Sequence, residues 1–251
     1  MRLYISSSIH KFLIFIGDLV AGVRMELPQI LVNLKLYHEA MGENAVKICR
    51  SAEQVYKETG ILIGLAPNTL DAVSVARNTD IPIYLQHLDP VGFGAHTGSL
   101  TAMMIKDYGL SGSLINHSER KVPLYHLSKV IGDLKSLGLA SVACAQTPVE
   151  ALAVAALKPS AVAVEPPELI GTGISVSKAK PEVISSSVKP IGRFFPEVKV
   201  FCGAGITTGE DVRKAVELGA KGILVASAVA KSNDPKRKLM ELAEPFKSVL
   251  T

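Results

Sequence analysis

Residues 161–173 read AVAVEPPELIGTG. Four small apolar residues run into one carboxylate, Glu165, after which two prolines and a Gly-Thr-Gly bracket a short segment able to swing as a lid. A parallel strand covered on both faces reads this way, because neither face needs polar residues. If the strand belongs to a closed parallel barrel, an acid at its end is placed for chemistry, since such sites form at the C-terminal ends of the strands. At the start of an ordinary loop, the same acid is only solvated. From this stretch alone both readings stand.

Outward from it the chain repeats the same alternation. Short apolar runs at 30–34, 61–65, 81–86, 112–115, 141–145, 161–164, 198–201 and 222–225 are separated by amphipathic stretches, with helices expected at 44–59, 124–137, 147–157, 180–191, 208–218 and 234–249. Strands alternating with helices make a parallel sheet, and eight of them close into a (βα)8 barrel. A doubly wound open sheet would want a Gly-rich first turn, and none is present. No Pro/Gly/Ser linker divides the chain, so one α/β domain is expected.

Composition narrows the function. A hydrophobic content of 48% with 20% charged residues over 251 residues supplies a large core. Lys plus Arg at 27 against Asp plus Glu at 23 gives +4, scattered and with few aromatics between, so nucleic acid is not the expected partner. Cys49, Cys144 and Cys202 lack metal-type spacing and are odd in number, which suggests neither zinc nor a disulfide framework and fits a reducing cytoplasm. Residues 12–23 are apolar but interrupted by Asp18 and too short to span a membrane. They make a poor signal peptide as well, and with Met25 following, residues 1–24 are expected to be an extension outside a barrel of residues 25–251.

If the barrel holds, polar residues should gather just after the strands. After the first come Asn33 and Lys35, two apart and so on one face of a strand. A lysine aimed into a barrel asks for an anion. After the fourth comes Asn116-His117-Ser118-Glu119-Arg120, where Ser118 and Glu119 suit the first turn of a short helix beginning at His117. Small residues recur at Gly171-Thr172-Gly173, at Gly203-Ala204-Gly205 and at Ala226-Ser227, where backbone N–H groups can approach an anion closely. The leading ligand is a phosphorylated small molecule. Glu168 is expected to be a surface or hinge contact, and Cys144 a packed small residue.

These pieces together resemble triosephosphate isomerase, and more closely its shorter archaeal form. The motifs are Asn33-Leu34-Lys35, GAHTG at 94–98, NHSER at 116–120, Cys144, EPPELIGTG at 165–173, CGAGI at 202–206 and LVAS at 224–227, which span the chain from Met25 onward. The resemblance implies a cofactor-free, metal-free aldose–ketose isomerase with a TIM-barrel fold. It implies Glu165 as the base, His117 as a neutral electrophile, Lys35 and Asn33 on the substrate, and Glu119 as partner of Lys35. The family's own reason for a neutral imidazole is an adjacent helix N-terminus, which the resemblance carries over to His117. Phosphate would be held by Ile170, Gly171, Gly205, Ala226 and Ser227, with the lid excluding water. Thr97 resembles a residue that reaches into a neighbouring subunit, and the archaeal form implies a homotetramer before a dimer. Leu36, Lys121 and Ala228 depart from the pattern where Thr, Arg and Gly are usual, and Ala228 would weaken phosphate binding if the glycine's backbone conformation were needed. Two alternatives remain at this stage: another sugar-phosphate barrel enzyme, and a non-catalytic barrel that binds phosphorylated metabolites.

Overall fold

The computed structural model describes residues 26–169 and 175–250. The expected extension 1–24 and the lid residues 170–173 lie outside the described residues. Eight parallel strands, β1 (Ile30–Asn33), β2 (Ile63–Ala66), β3 (Tyr84–Leu85), β4 (Gly112–Ile115), β5 (Ala140–Ala145), β6 (Ala161–Val164), β7 (Lys199–Cys202) and β8 (Gly222–Val225), run in the order β2-β1-β8-β7-β6-β5-β4-β3. The Leu65 N–H donates to the Pro82 carbonyl at 3.1 Å, and Leu65 bridges to Ile83, which brings β2 back to β3. The expected (βα)8 barrel is the observed fold.

Its strands are apolar throughout because both faces are covered. Inward-pointing Leu31, Tyr84, Leu114, Val142, Ala161, Ala163, Phe201 and Leu224 form one buried cluster. Their alternates, among them Ile30, Val32, Ile115, Val162, Val164, Val200 and Ile223, pack outward with helix residues such as Ile48, Val130, Ile184 and Leu239. The small residues of β6 leave interior room for Phe201. Gly222 does the same on β8, where an added Cβ would lie 2.6 Å from the Phe201 ring.

The helices are α1 (Glu43–Thr59), α2 (Thr69–Arg77), α3 (Ala102–Asp107), α4 (Leu124–Ser136), α5 (Pro148–Ala155), α6 (Val176–Ala179), α7 (Pro181–Phe194), α8 (Gly209–Glu217), α9 (Ser227–Ala230) and α10 (Pro235–Leu250). Several begin on side-chain caps at the barrel mouth. Asn68 accepts from the Leu70 and Asp71 amides, and Thr208 with Asp211 forms a capping box. No helix among the described residues is long and apolar enough to cross a membrane.

Three local expectations are corrected. The third strand is two residues, not 81–86, because Pro82 has no N–H to give the ladder. The first strand is Ile30–Asn33, one residue shorter than 30–34; Leu34 still packs outward, and Lys35, at a left-handed φ of +50°, lines the same cavity as Asn33, as the alternation expects. No helix begins at His117. Residues 117–120 form a single turn closed by the Arg120 N–H on the His117 carbonyl at 2.8 Å, and α4 starts at Leu124.

Candidate active site

Glu165 continues the inward parity of Ala161 and Ala163, so β6 aims it into the barrel mouth. Its amide donates to the Ala145 carbonyl at 2.8 Å, which holds the backbone against β5. The carboxylate is buried, and Oε2 has no hydrogen-bond partner among the described residues. It rests on bare backbone: an added Cβ on Gly203 would lie 2.3 Å from the Glu165 Cγ. Beside it sits the Cys144 thiol, whose burial first, and then the charge and hydrogen bond of Glu165, hold it protonated well above the usual thiol range. Cys144 is therefore inert, packed in the barrel interior.

His117, also buried, reaches in from the loop after β4. Its Nδ1 accepts the Glu119 amide at 3.2 Å, and Nε2 lies 3.5 Å from the Glu165 Oε2. A backbone N–H can only donate, so Nδ1 is the acceptor and a neutral ring carries its proton on Nε2. The ring therefore presents a donor toward the acid. Opposite it, Asn33 Oδ1 accepts the Lys35 amide at 3.0 Å and steadies the left-handed turn. Gln86 completes that turn by donating from Nε2 to the Lys35 and Ala66 carbonyls at 3.1 and 3.0 Å. The Lys35 side chain is largely buried, and its Nζ pairs with the Glu119 Oε1 at 2.7 Å.

Asn33, Lys35, His117, Glu165, Gly205, Ala226 and Ser227 line one small cavity at the barrel mouth. It adjoins a groove bordered by Leu36, Asn68, Gln86, His87, Leu100 and Arg120. Ile170 and Gly171 lie outside the described residues. Ala204 and Gly205 take consecutive left-handed values, φ +65° and +68°, and Ser227 opens α9. Ala228 sits within α9, where alanine is the best helix former, so this backbone has no need of a glycine there. Lys121 pairs with Glu150, Glu168 pairs with Lys180 on the surface, and Leu36 is exposed. His87, Asp89 and His126 gather separately. His87 Nε2 lies 3.3 Å from Asp89 Oδ1, His126 Nε2 lies 2.7 Å from the Leu88 carbonyl, and Asp89 accepts the Leu100 amide at the base of the loop carrying Thr97.

Sequence reasoning missed Gln86, Asn116 and the true task of Gly203. In the sequence Gly203 reads as one of the small residues that let backbone N–H groups approach an anion, whereas in the structure it makes room for the base. Only its position directly after a strand, facing another strand's acid, marks it out.

The fold and this arrangement place the chain among (βα)8-barrel proteins with a site built at the C-terminal ends of the strands. It belongs to the triosephosphate isomerase family: residues 28–244 match the family model described as "Triosephosphate isomerase". The triosephosphate isomerase of Methanothermus fervidus is 48% identical over 218 residues, covering 87% of this chain and 98% of the relative. That of Pyrobaculum islandicum is 50% identical over 222 residues, covering 88% and 97%. That of Methanocaldococcus jannaschii is 46% identical over 213 residues, covering 85% and 97%.

Proposed function

We propose that the chain interconverts dihydroxyacetone phosphate and D-glyceraldehyde 3-phosphate through an enediol(ate), as an enzyme of glycolysis and gluconeogenesis. The observation that carries this is the buried Glu165 Oε2, without a hydrogen-bond partner among the described residues, beside the Nε2 of a histidine whose Nδ1 is already an acceptor. Glu165 removes the proton from C1 of the ketose and returns it to C2, while O1 gives up its hydroxyl proton and O2 gains one by way of the His117 Nε2, so two hydrogens change place and the skeleton is unchanged. His117 donates from Nε2 to the oxygen on which charge develops. Lys35 adds a fixed positive charge, and Asn33 holds its turn. Glu119 anchors the ammonium until substrate arrives. Phosphate lies against Gly205 and the N–H groups of Ala226 and Ser227, where a helix begins and its first amides have no carbonyl within the helix to pair with. The lid contribution of Ile170 and Gly171 belongs to this proposal too, as does chemistry without cofactor or metal.

A coupled assay on the purified chain tests the reading. Isomerase activity is expected, and Glu165→Gln should lower it by roughly 10²- to 10⁴-fold; full activity in that variant rules the mechanism out.

We also infer a homotetramer, with a dimer as the alternative. The exposed loop at 92–98, with Phe93 and Thr97, and the exposed Leu70, Leu124 and Tyr125 offer surface for a second copy. Light scattering of the eluted protein distinguishes monomer, dimer and tetramer. Three buried, unpaired cysteines support a reducing, cytoplasmic setting.

A further inference from the structure

We propose that Asn116 is a positioning residue for this reaction: it turns His117 into the barrel and sets the imidazole against Glu165. The inference rests on the isomerase reading above. Leu114 belongs to the inward cluster of the barrel and Ile115 to the outward one. Carried on, the strand's period of two would point Asn116 in and His117 out toward the helices. The structure reverses this. Asn116 takes φ +59°, a left-handed conformation that asparagine tolerates better than most residues, and His117 then lines the cavity.

The side chain holds the reversal in place. Buried Asn116 donates from Nδ2 to the Cys144 carbonyl at 2.9 Å and lies 3.5 Å from the Glu150 Oε1, while its Oδ1 accepts the Val122 amide at 3.2 Å. The Val122 bond closes the loop that contains His117 onto its own first residue. The Cys144 bond ties that loop to β5 where Cys144 is in register with Ala163, two residues before Glu165. One amide thus spans from the electrophile's loop to the strand beside the base. Glu150, which accepts the Gln146 amide at 2.7 Å and pairs with Lys121, braces the same corner from α5.

Asn116→Gly keeps the left-handed backbone accessible and removes both side-chain bonds. Asn116→Asp keeps the acceptor for Val122 and removes the donor to Cys144, so one variant remains informative if the other folds poorly. The expected result for Asn116→Gly is a fall in kcat on the order of 10- to 100-fold, the scale of a small misplacement of a reacting group, with a much smaller change in KM. The nitrogen-15 signals of the His117 ring, which should show an acceptor Nδ1 and a protonated Nε2 in the parent, should move toward a mixture of tautomers in both variants. Parent-like kcat together with unchanged ring signals in the folded variants overturns the proposal. An inactive parent protein would instead overturn the isomerase reading, and the ring signals, which need no turnover, would still judge Asn116.

Discussion

Glu165 Oε2 and His117 Nε2 stand 3.5 Å apart, both side chains buried, and the carboxylate oxygen has no partner among the described residues. An unpaired polar atom in a protein interior costs free energy, on the order of 1–3 kcal/mol. A buried carboxylate set beside a ring donor in a cleft is the kind of group that carries proton-transfer chemistry.

Glu165→Gln separates chemistry from stability. The amide has the same shape and no charge to bury, so the variant should melt at the parent temperature or above it. Its kcat should fall by roughly 10²- to 10⁴-fold, the usual worth of a positioned base. Thermal denaturation run beside the coupled assay checks both, and a marked drop in melting temperature would make Glu165 a structural residue.

Gly203→Ala should injure the site through Glu165. An added Cβ meets the Glu165 Cγ at 2.3 Å and Oε1 at 2.8 Å, so the carboxylate has to move. We expect kcat to fall on the order of 100-fold, with a stability cost of about 1–3 kcal/mol from overpacking. Parent-like kcat would show that the base does not depend on this bare floor.

Asp211 should govern part of the acid limb of stability. Burial pushes its carboxyl up, but Lys178 and the Thr207 and Thr208 amides outweigh that and hold it at about 2, below the ordinary 3.8. The folded value is the depressed one, so this contribution is complete above about pH 4 and is lost as the pH falls toward 2. Asp211→Asn, which also breaks the capping box, should cost about 1–2 kcal/mol at neutral pH. Melting curves of parent and variant should converge between pH 4 and 2; a constant gap would refute the assignment.

Tyr84→Phe should leave stability unchanged or raise it. The Tyr84 hydroxyl is buried inside the barrel without a partner among the described residues, and burial drives its phenol far above the usual range. Removing an unpaired hydroxyl forfeits no bond and spares its desolvation, worth up to about 1 kcal/mol. A clear fall in the denaturation midpoint would show that the hydroxyl is satisfied after all.

Much of the fold was legible because its signals are local. The run 161–164 carries its own burial pattern, and Asn68, Thr147 and Thr208 announce helix starts by their side-chain chemistry. What escaped was weaker or non-local. The helices α2 and α3 each bury only two residues, Ala72 with Val75 and Ala102 with Ile105, too few to print a period. Strand β3 is cut short by a proline inside an otherwise convincing apolar run. At the candidate site, the polar bursts after strands one and four and the acid after strand six were visible, and the structure brings Asn33, Lys35, His117 and Glu165 around one cavity. Period-two reasoning carried Asn33 and Lys35 to one side, but it could not foresee His117 turning inward, which depends on the single left-handed residue Asn116.

The sequence alone determined the succession of strands and of the longer helices, the acid at the end of an apolar strand, and the motifs that mark the family, because propensity, periodicity and spacing act between near neighbours in the chain. Tertiary structure decided which nitrogen of His117 faces Glu165, why Gly203 has no side chain, and how Asn116 reaches the Cys144 carbonyl 28 residues away. These relations exist only once the barrel has closed and laid loops that are distant in sequence against one another; until then no residue involved has a neighbour to orient it.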